Sequence, residues 1–302
     1  MCTECGGLCC YADDSTYSVS AASTTELSVK LEEKFKVMST YLSENRLCIN
    51  SDKTHLMVMS TRQKKRKSKE AMATLNTGNE VINPSRSETL LGCKIHENMN
   101  FSEHLLDSKD SLIKTLNNRI GALKQIKKAA SFKAKLNIAN GIILSKILYL
   151  MPLYGGCAEY LLSAIQTKQT EAMRQITNRR WVIPGRQFVS TSELLKQCGW
   201  LSIRQLSFYA TVLSIHKTLV KEAPEHIFEK LTSGRKHRTR GTENHLVNRT
   251  CVDEARLSIA SSSYRWRGHR QHSALPDYLK GEVDLQIFKR ELKSWVKENV
   301  SI

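Results

Sequence analysis

Gly6-Gly7-Leu8-Cys9-Cys10-Tyr11-Ala12-Asp13-Asp14-Ser15-Thr16-Tyr17-Ser18-Val19 is the stretch whose reading decides the fold. Its Cys, Tyr, Thr, Val and Ser residues follow no helical period, so it reads as strand, tight turn, strand. Asp tolerates turn geometry, and a hairpin tip pushes the carboxylates of Asp13 and Asp14 beyond the sheet. Paired hard oxygen ligands on a rigid turn suit Mg²⁺, as in two-metal phosphoryl transfer. Aspartate pairs in turns are also commonly just solvated. The tetrapeptide alone leaves both readings open.

The 302 residues suffice for two domains with real cores, and 40% apolar content is ordinary for a soluble chain. Lys and Arg number 46 against 29 acids, a net charge of +17. An excess of this size favours a polyanionic partner, nucleic acid before membrane. The apolar segment Leu136 to Leu153 is interrupted by Asn137, Asn140, Lys146 and Pro152, so it reads as a core helix and no membrane partner is expected. Nine cysteines, five of them scattered singly, and a polar N-terminus imply free thiols in a reducing intracellular setting, nucleus or cytoplasm. No disulfide-linked partner is expected. Cys2, Cys5, Cys9 and Cys10 lack a second ligand pair at finger spacing, which argues against zinc; Cys9 and Cys10 read as small, half-buried strand residues.

Working outward, Thr24 or Thr25 caps a helix whose Leu27, Leu31, Phe35, Met38 and Leu42 recur at helical spacing. Leu47 to Ile49 reads as a short buried strand or turn, Asn50-Ser51-Asp52 as a turn, and His55 to Met59 as a strand. Strand, helix, strand with a short crossover matches half of a ferredoxin-like arrangement. Arg62 to Lys69 holds six basic residues in eight and is a loop, either touching phosphates or solvated; Lys64-Lys65-Arg66-Lys67 also admits a nuclear-import reading. Short strands follow to Ile95, the best being Thr89 to Ile95, with Gly92 marking a bulge or a close backbone approach. From Ser102 the pattern is helical: Leu105, Leu112, Leu116, Ile120 and Leu123 form one stripe. Further helices are expected at 132–150, 159–178, 192–198, 203–223 and 285–296. Ser233 to Arg240 is a second basic linker. Tyr264, Trp266 and their neighbouring arginines either stack on bases or pack as a terminal helical module.

Taken together, these blocks resemble the C-terminal half of a reverse transcriptase of the non-long-terminal-repeat retrotransposon type, close to jockey-like elements. Tyr11-Ala12-Asp13-Asp14 is similar to the family's catalytic turn, and Asn50-Ser51-Asp52-Lys53-Thr54 to the segment after the palm helix. Leu91-Gly92 followed by His104 is similar to the Leu-Gly strand and the His that opens the thumb, and Tyr264 to Trp295 to the end of such reading frames. The fold this implies is α+β: a partial palm of antiparallel strands plus a helix over 1–98, a mostly helical thumb over 99–232, and a basic linker with a helical tail over 233–302.

The resemblance also implies roles. Asp13 would ligate two Mg²⁺ ions that hold a deoxynucleoside triphosphate and activate a primer hydroxyl, with Asp14 as supporting carboxylate. Tyr11 would pack beneath the primer end. Lys53 would protonate or neutralise the pyrophosphate, or is an ordinary strand-edge lysine. Gly92 would lie near the primer grip, and Lys124, Lys127 and Lys128 would meet phosphates of an RNA template, a DNA primer or their duplex. The family's third carboxylate comes from an upstream strand, whereas Glu4 is the one acid among the ten residues before Tyr11. Two carboxylates do not organise in-line attack by themselves, so this chain is expected not to polymerise DNA alone. A non-catalytic, basic nucleic-acid binder is the other reading.

Overall fold

Two strands, β1 (Gly6–Tyr11) and β2 (Asp14–Val19), pair antiparallel from Gly6↔Val19 to Tyr11↔Asp14 in the computed structural model. The structure describes residues 6–12, 14–60, 73–77, 80–179, 189–232 and 262–302; Cys2, Cys5, Asp13, both basic linkers and Trp181 lie outside them. The chain is mixed α+β and divides into two units, Met1–Glu103 and His104–Ile302.

In the first unit, Ser23 ends the extended approach to helix α1 (Thr24–Glu44), its hydroxyl accepting from the Glu26 amide. The Glu26 carboxylate reaches back to the Ala22 amide and pairs with Lys30 at 2.7 Å, which steadies the first turn. The Leu27–Leu42 stripe is only half-buried, and no residue of α1 is buried. Leu47 to Ile49 forms no strand, and Cys48 is exposed. Within His55 to Met59 only β3 (Leu56–Met57) is a strand, running parallel to β6 (Pro84–Ser85). Pro84 has no N–H to donate, which shortens this ladder. β4 (Leu75–Asn76) and β5 (Val81–Ile82) form a second small hairpin.

The expected single strand over Thr89 to Ile95 is instead a third hairpin, β7 (Ser87–Leu90) with β8 (Cys93–His96). Leu91 and Gly92 both take left-handed backbone, φ 49° and 74°, which a continuing strand cannot accommodate. Two successive positive φ values make the tight turn whose twist matches antiparallel strands. Gly92 is therefore a turn residue and not a bulge. Among the described residues the buried apolar side chains of this unit are Leu56, Ala73, Leu75 and Cys93, a small core.

The second unit carries the large core. Leu105, Leu112, Leu116, Ile120 and Leu123 are each at most 2% exposed, as their spacing demands. They do not share one helix: a π turn over Glu103–Asp107 precedes α2 (Leu112–Gln125), with Ser111 at its N-cap. The next helical run starts at α3 (Phe132–Ala139), passes a π turn (Asn140–Leu144) and ends with α4 (Ser145–Leu148). Left-handed backbone at Leu150, φ 59°, stops it; Pro152 then sits in the first turn of α5 (Met151–Tyr154), where no N–H is required.

Helices α6 (Glu159–Ile176), α7 (Thr191–Cys198), α8 (Ile203–Lys221) and α9 (Glu225–Thr232) follow, then α10 (Tyr264–Ser273), α11 (Asp277–Lys280) and α12 (Leu285–Asn299). A reciprocal Ser202–Gln205 capping box starts α8, which packs against α5, α6, α10 and α12. No helix among the described residues is long and apolar enough to cross a membrane.

Candidate functional site

The β1–β2 hairpin closes on a two-residue tip, because Tyr11 pairs with Asp14 and leaves Ala12 and Asp13 between them. Ala12 has φ 52°, a left-handed conformation that costs a non-glycine residue roughly 1–2 kcal/mol. Directly opposed residues share a face, so Tyr11, Cys9, Asp14, Thr16 and Ser18 project to one side. Leu8, Cys10, Ser15, Tyr17 and Val19 project to the other, where Tyr17 and Val19 are half-buried. Away from the tip, the Ser18 hydroxyl donates to the Gly7 carbonyl and accepts from the Gly7 amide, at 3.3 and 3.4 Å. Tyr11 is 67% exposed and Asp14 is also exposed. Cys9 and Cys10 are exposed, not half-buried, because no described residue covers either face at that end of the ladder; they are free thiols, as are Cys48, Cys93, Cys157 and Cys198.

Asp13 lies outside the described residues, so Asp14 is the described carboxylate of the pair. Among the described residues no three His, Cys, Asp or Glu side chains converge as a metal site. One exposed carboxylate does not bridge two Mg²⁺ ions, and this described donor set does not complete a two-metal site.

Lys53 stands in a single 3₁₀ turn, Ser51–Lys53. Asn50 braces that turn twice: its side-chain oxygen accepts from the Lys53 amide at 3.3 Å, and its carbonyl from the Thr54 hydroxyl at 2.8 Å. The Asn-x-x-Lys-Thr spacing thus has a local structural cause, one capped turn that leaves the Lys53 side chain exposed. Gly92 sits at the exposed β7–β8 tip. Among the described residues the four small ladders are separate, so no strand pairing there joins the Tyr11–Asp14 tip to the elements carrying Lys53 or Gly92. Near β8, the Glu103 carboxylate pairs with the Lys94 ammonium at 3.3 Å and has His96 Nε2 at 3.7 Å; the Ser87 hydroxyl, and then Lys94, hold its carboxyl below the ordinary value.

The three candidate phosphate lysines belong to the second unit, and they differ. Lys124 is engaged: its ammonium lies 2.9 Å from Glu171, which Lys168 also meets at 3.1 Å. Burial pushes the Glu171 carboxyl up, but the hydrogen bonds from Lys124 and Lys168 outweigh it and leave the carboxyl below its ordinary value. Lys127 and Lys128, in the turn after α2, make no ion pair among the described residues. A fourth lysine escaped sequence reasoning. Lys135 is 1% exposed and donates to Asn178 Oδ1 at 2.8 Å; burial, with Lys127 nearby, pulls its ammonium down. The signal was its register, four residues before Ala139 and eight before Ile143, both fully buried.

Of the tail aromatics, Tyr264 packs into a core cluster and Trp266 is half-buried. Tyr264 Oη lies 2.9 Å from the Ser214 hydroxyl, and its ring packs against Ile215, Leu219 and Leu231. Arg270 lies over the Trp266 ring at 5.8 Å. Between them, Arg267 is 5% exposed, and one of its amino groups donates to the Pro152 carbonyl and to the Thr211 hydroxyl. Burial pulls this guanidinium down to about 10. Comparison with protein-family models, curated proteins and solved structures finds no match.

Proposed function

We propose that the chain is the C-terminal part of a non-long-terminal-repeat, jockey-like reverse transcriptase: the end of its palm, its thumb and its tail. In this reading the complete enzyme performs two-metal nucleotidyl transfer with Asp13 and Asp14 as two of its carboxylates. The third is supplied by a strand that these residues do not include. The observation that carries the reading is the hairpin itself. Tyr11 and Asp14 are its last antiparallel pair, and left-handed Ala12 follows Tyr11, so the turn falls at the acidic pair of the sequence, with Asp14 exposed at the end of the ladder. The braced turn Asn50–Thr54 after α1 supports it in the same order.

Template-directed nucleotide incorporation tests the proposal. The 302-residue chain alone is expected to incorporate nothing, and co-expression with an upstream palm segment carrying a strand aspartate is expected to restore synthesis. Asp13→Asn then abolishes it. Synthesis by the restored assembly that survives Asp13→Asn sinks the enzyme reading.

A second reading, a basic nucleic-acid binder without chemistry, is favoured by one observation: Lys127 and Lys128 lack acidic partners among the described residues, while Lys124 has one. Its affinity for an RNA–DNA duplex is expected to fall with salt by about 0.7–0.9 log units per log unit for each phosphate contact. Affinity that is flat across salt rules it out.

A further inference from the structure

His216, on α8, is 1% exposed and meets three parts of the C-terminal segment. Its Nε2 lies 2.7 Å from the Glu282 carbonyl oxygen, between α11 and α12. A carbonyl only accepts, so that nitrogen carries the hydrogen, and in the neutral ring Nδ1 is a bare acceptor. His272 Nε2, on α10, lies 3.4 Å from this Nδ1 and is therefore the donor. The Phe288 ring of α12 stacks on His216 with centroids 3.6 Å apart and planes within 6°. One imidazole thus ties α10, the α11–α12 link and α12 to α8. His272 is itself 1% exposed, so neither ring has water to accept an added charge.

Protonation acts on this chain of donors unequally. A single proton is accommodated if His216 Nδ1 becomes a donor and His272 changes tautomer to accept. A second proton leaves two donors facing each other at 3.4 Å, two cations in a dry site. The charged and titratable groups facing the pair are Glu282 from the link, Lys280 from α11 and His269 from α10; from α12 the facing side chain is the Phe288 ring.

We propose that the His216–His272 pair is an acid-operated latch, which fastens Tyr264 to Asn299 onto α8 while both rings are neutral and releases that segment when both are protonated.

Burial pulls His216 below its ordinary value despite Glu282, and pulls His272, with His216, Lys280 and His269 adding to it, down to about 3. For a base whose folded value is depressed, the stabilisation is complete above the ordinary value of 6.5 and declines as pH falls below it. Each proton taken up on opening multiplies the opening constant about tenfold per pH unit, so two give about a hundredfold.

Hydrogen exchange on the full chain from pH 7.5 to 4.5, corrected for intrinsic rates, tests the latch. The amides of 264–299 are expected to lose protection below about pH 6.5, at a slope approaching a hundredfold per pH unit, while α2 and α6 keep theirs. His272→Gln retains a side-chain N–H toward His216 but cannot gain a proton, and its slope is expected to fall to about tenfold per pH unit. An unchanged slope in His272→Gln overturns the proposal. So does protection that persists to pH 4.5, or loss that is uniform across 104–302. If His272→Gln fails to fold at pH 7.5, the histidine ring resonances of the unaltered chain decide. His216 and His272 titrating below their ordinary range, in step with the loss at 264–299, supports the latch; ordinary titration with that segment still protected refutes it.

Discussion

Helices α1 and α8 have nearly the same length, 21 and 19 residues, and both carry apolar side chains at helical spacing, yet α1 buries no residue and α8 buries ten. The difference lies in what surrounds them. α8 is enclosed by α5, α6, α10 and α12, whereas the main neighbours of α1 among the described residues are the short β4 and β2 of the first hairpin. Spacing decides which face of a helix is apolar; neighbours decide whether that face leaves water. The strands repeat the lesson. Every ladder among the described residues of the first unit is two-stranded, a form that is marginal by itself.

The comparison is broken most sharply by truncating one phenylalanine on each side. Phe288 is fully buried against His216, so Phe288→Ala is expected to cost about 3–5 kcal/mol in urea unfolding. Phe35 is half-buried on α1, and Phe35→Ala is expected to cost about 1 kcal/mol or less. Equal losses would mean that the first unit has a core as effective as that of the second.

Glycines sharpen the contrast within the second unit. A Cβ on Gly268 would stand 2.6 Å from Ile215 Cγ1, where α10 lies on α8, so Gly268→Ala is expected to destabilise by about 1–3 kcal/mol. Gly121, in the middle of α2, has nothing within 4 Å of that position, and Gly121→Ala is expected to stabilise by about 0.5–1 kcal/mol. Thermal unfolding of the two variants should move in opposite directions.

The smallest effect is expected at the hairpin. Ala12→Gly relieves a left-handed alanine at the Tyr11–Asp14 tip and should stabilise it by about 1 kcal/mol at most. Faster exchange of the β1 and β2 amides in that variant would show that the φ of 52° is not the resting state of the tip.

The parts legible in the sequence share one property: their causes lie within a few residues. The tip between Tyr11 and Asp14 follows from turn chemistry, and the turn at Lys53 from the Asn50 and Thr54 side chains beside it. The stripe from Leu105 to Leu123 follows from helical repeat, although the break between Asp107 and Leu112 did not show in the spacing. Gly92 was misread because its left-handed neighbour Leu91 is a residue type that rarely takes that conformation. The partner of Lys124, Glu171, is 47 positions away and has no local signal in the sequence.

The amino-acid sequence by itself determined the α+β character, the helical stripes and the hairpin turn at the acidic pair, since each depends on backbone geometry and near neighbours; the cap of α1 falls on Ser23 rather than on Thr24 or Thr25. Tertiary structure alone decided that α8 is enclosed while α1 is not, that Lys135 and Arg267 are buried, and that His216 meets His272 across 56 residues. Those outcomes depend on which distant surfaces exclude water from one another, and no local period encodes that choice.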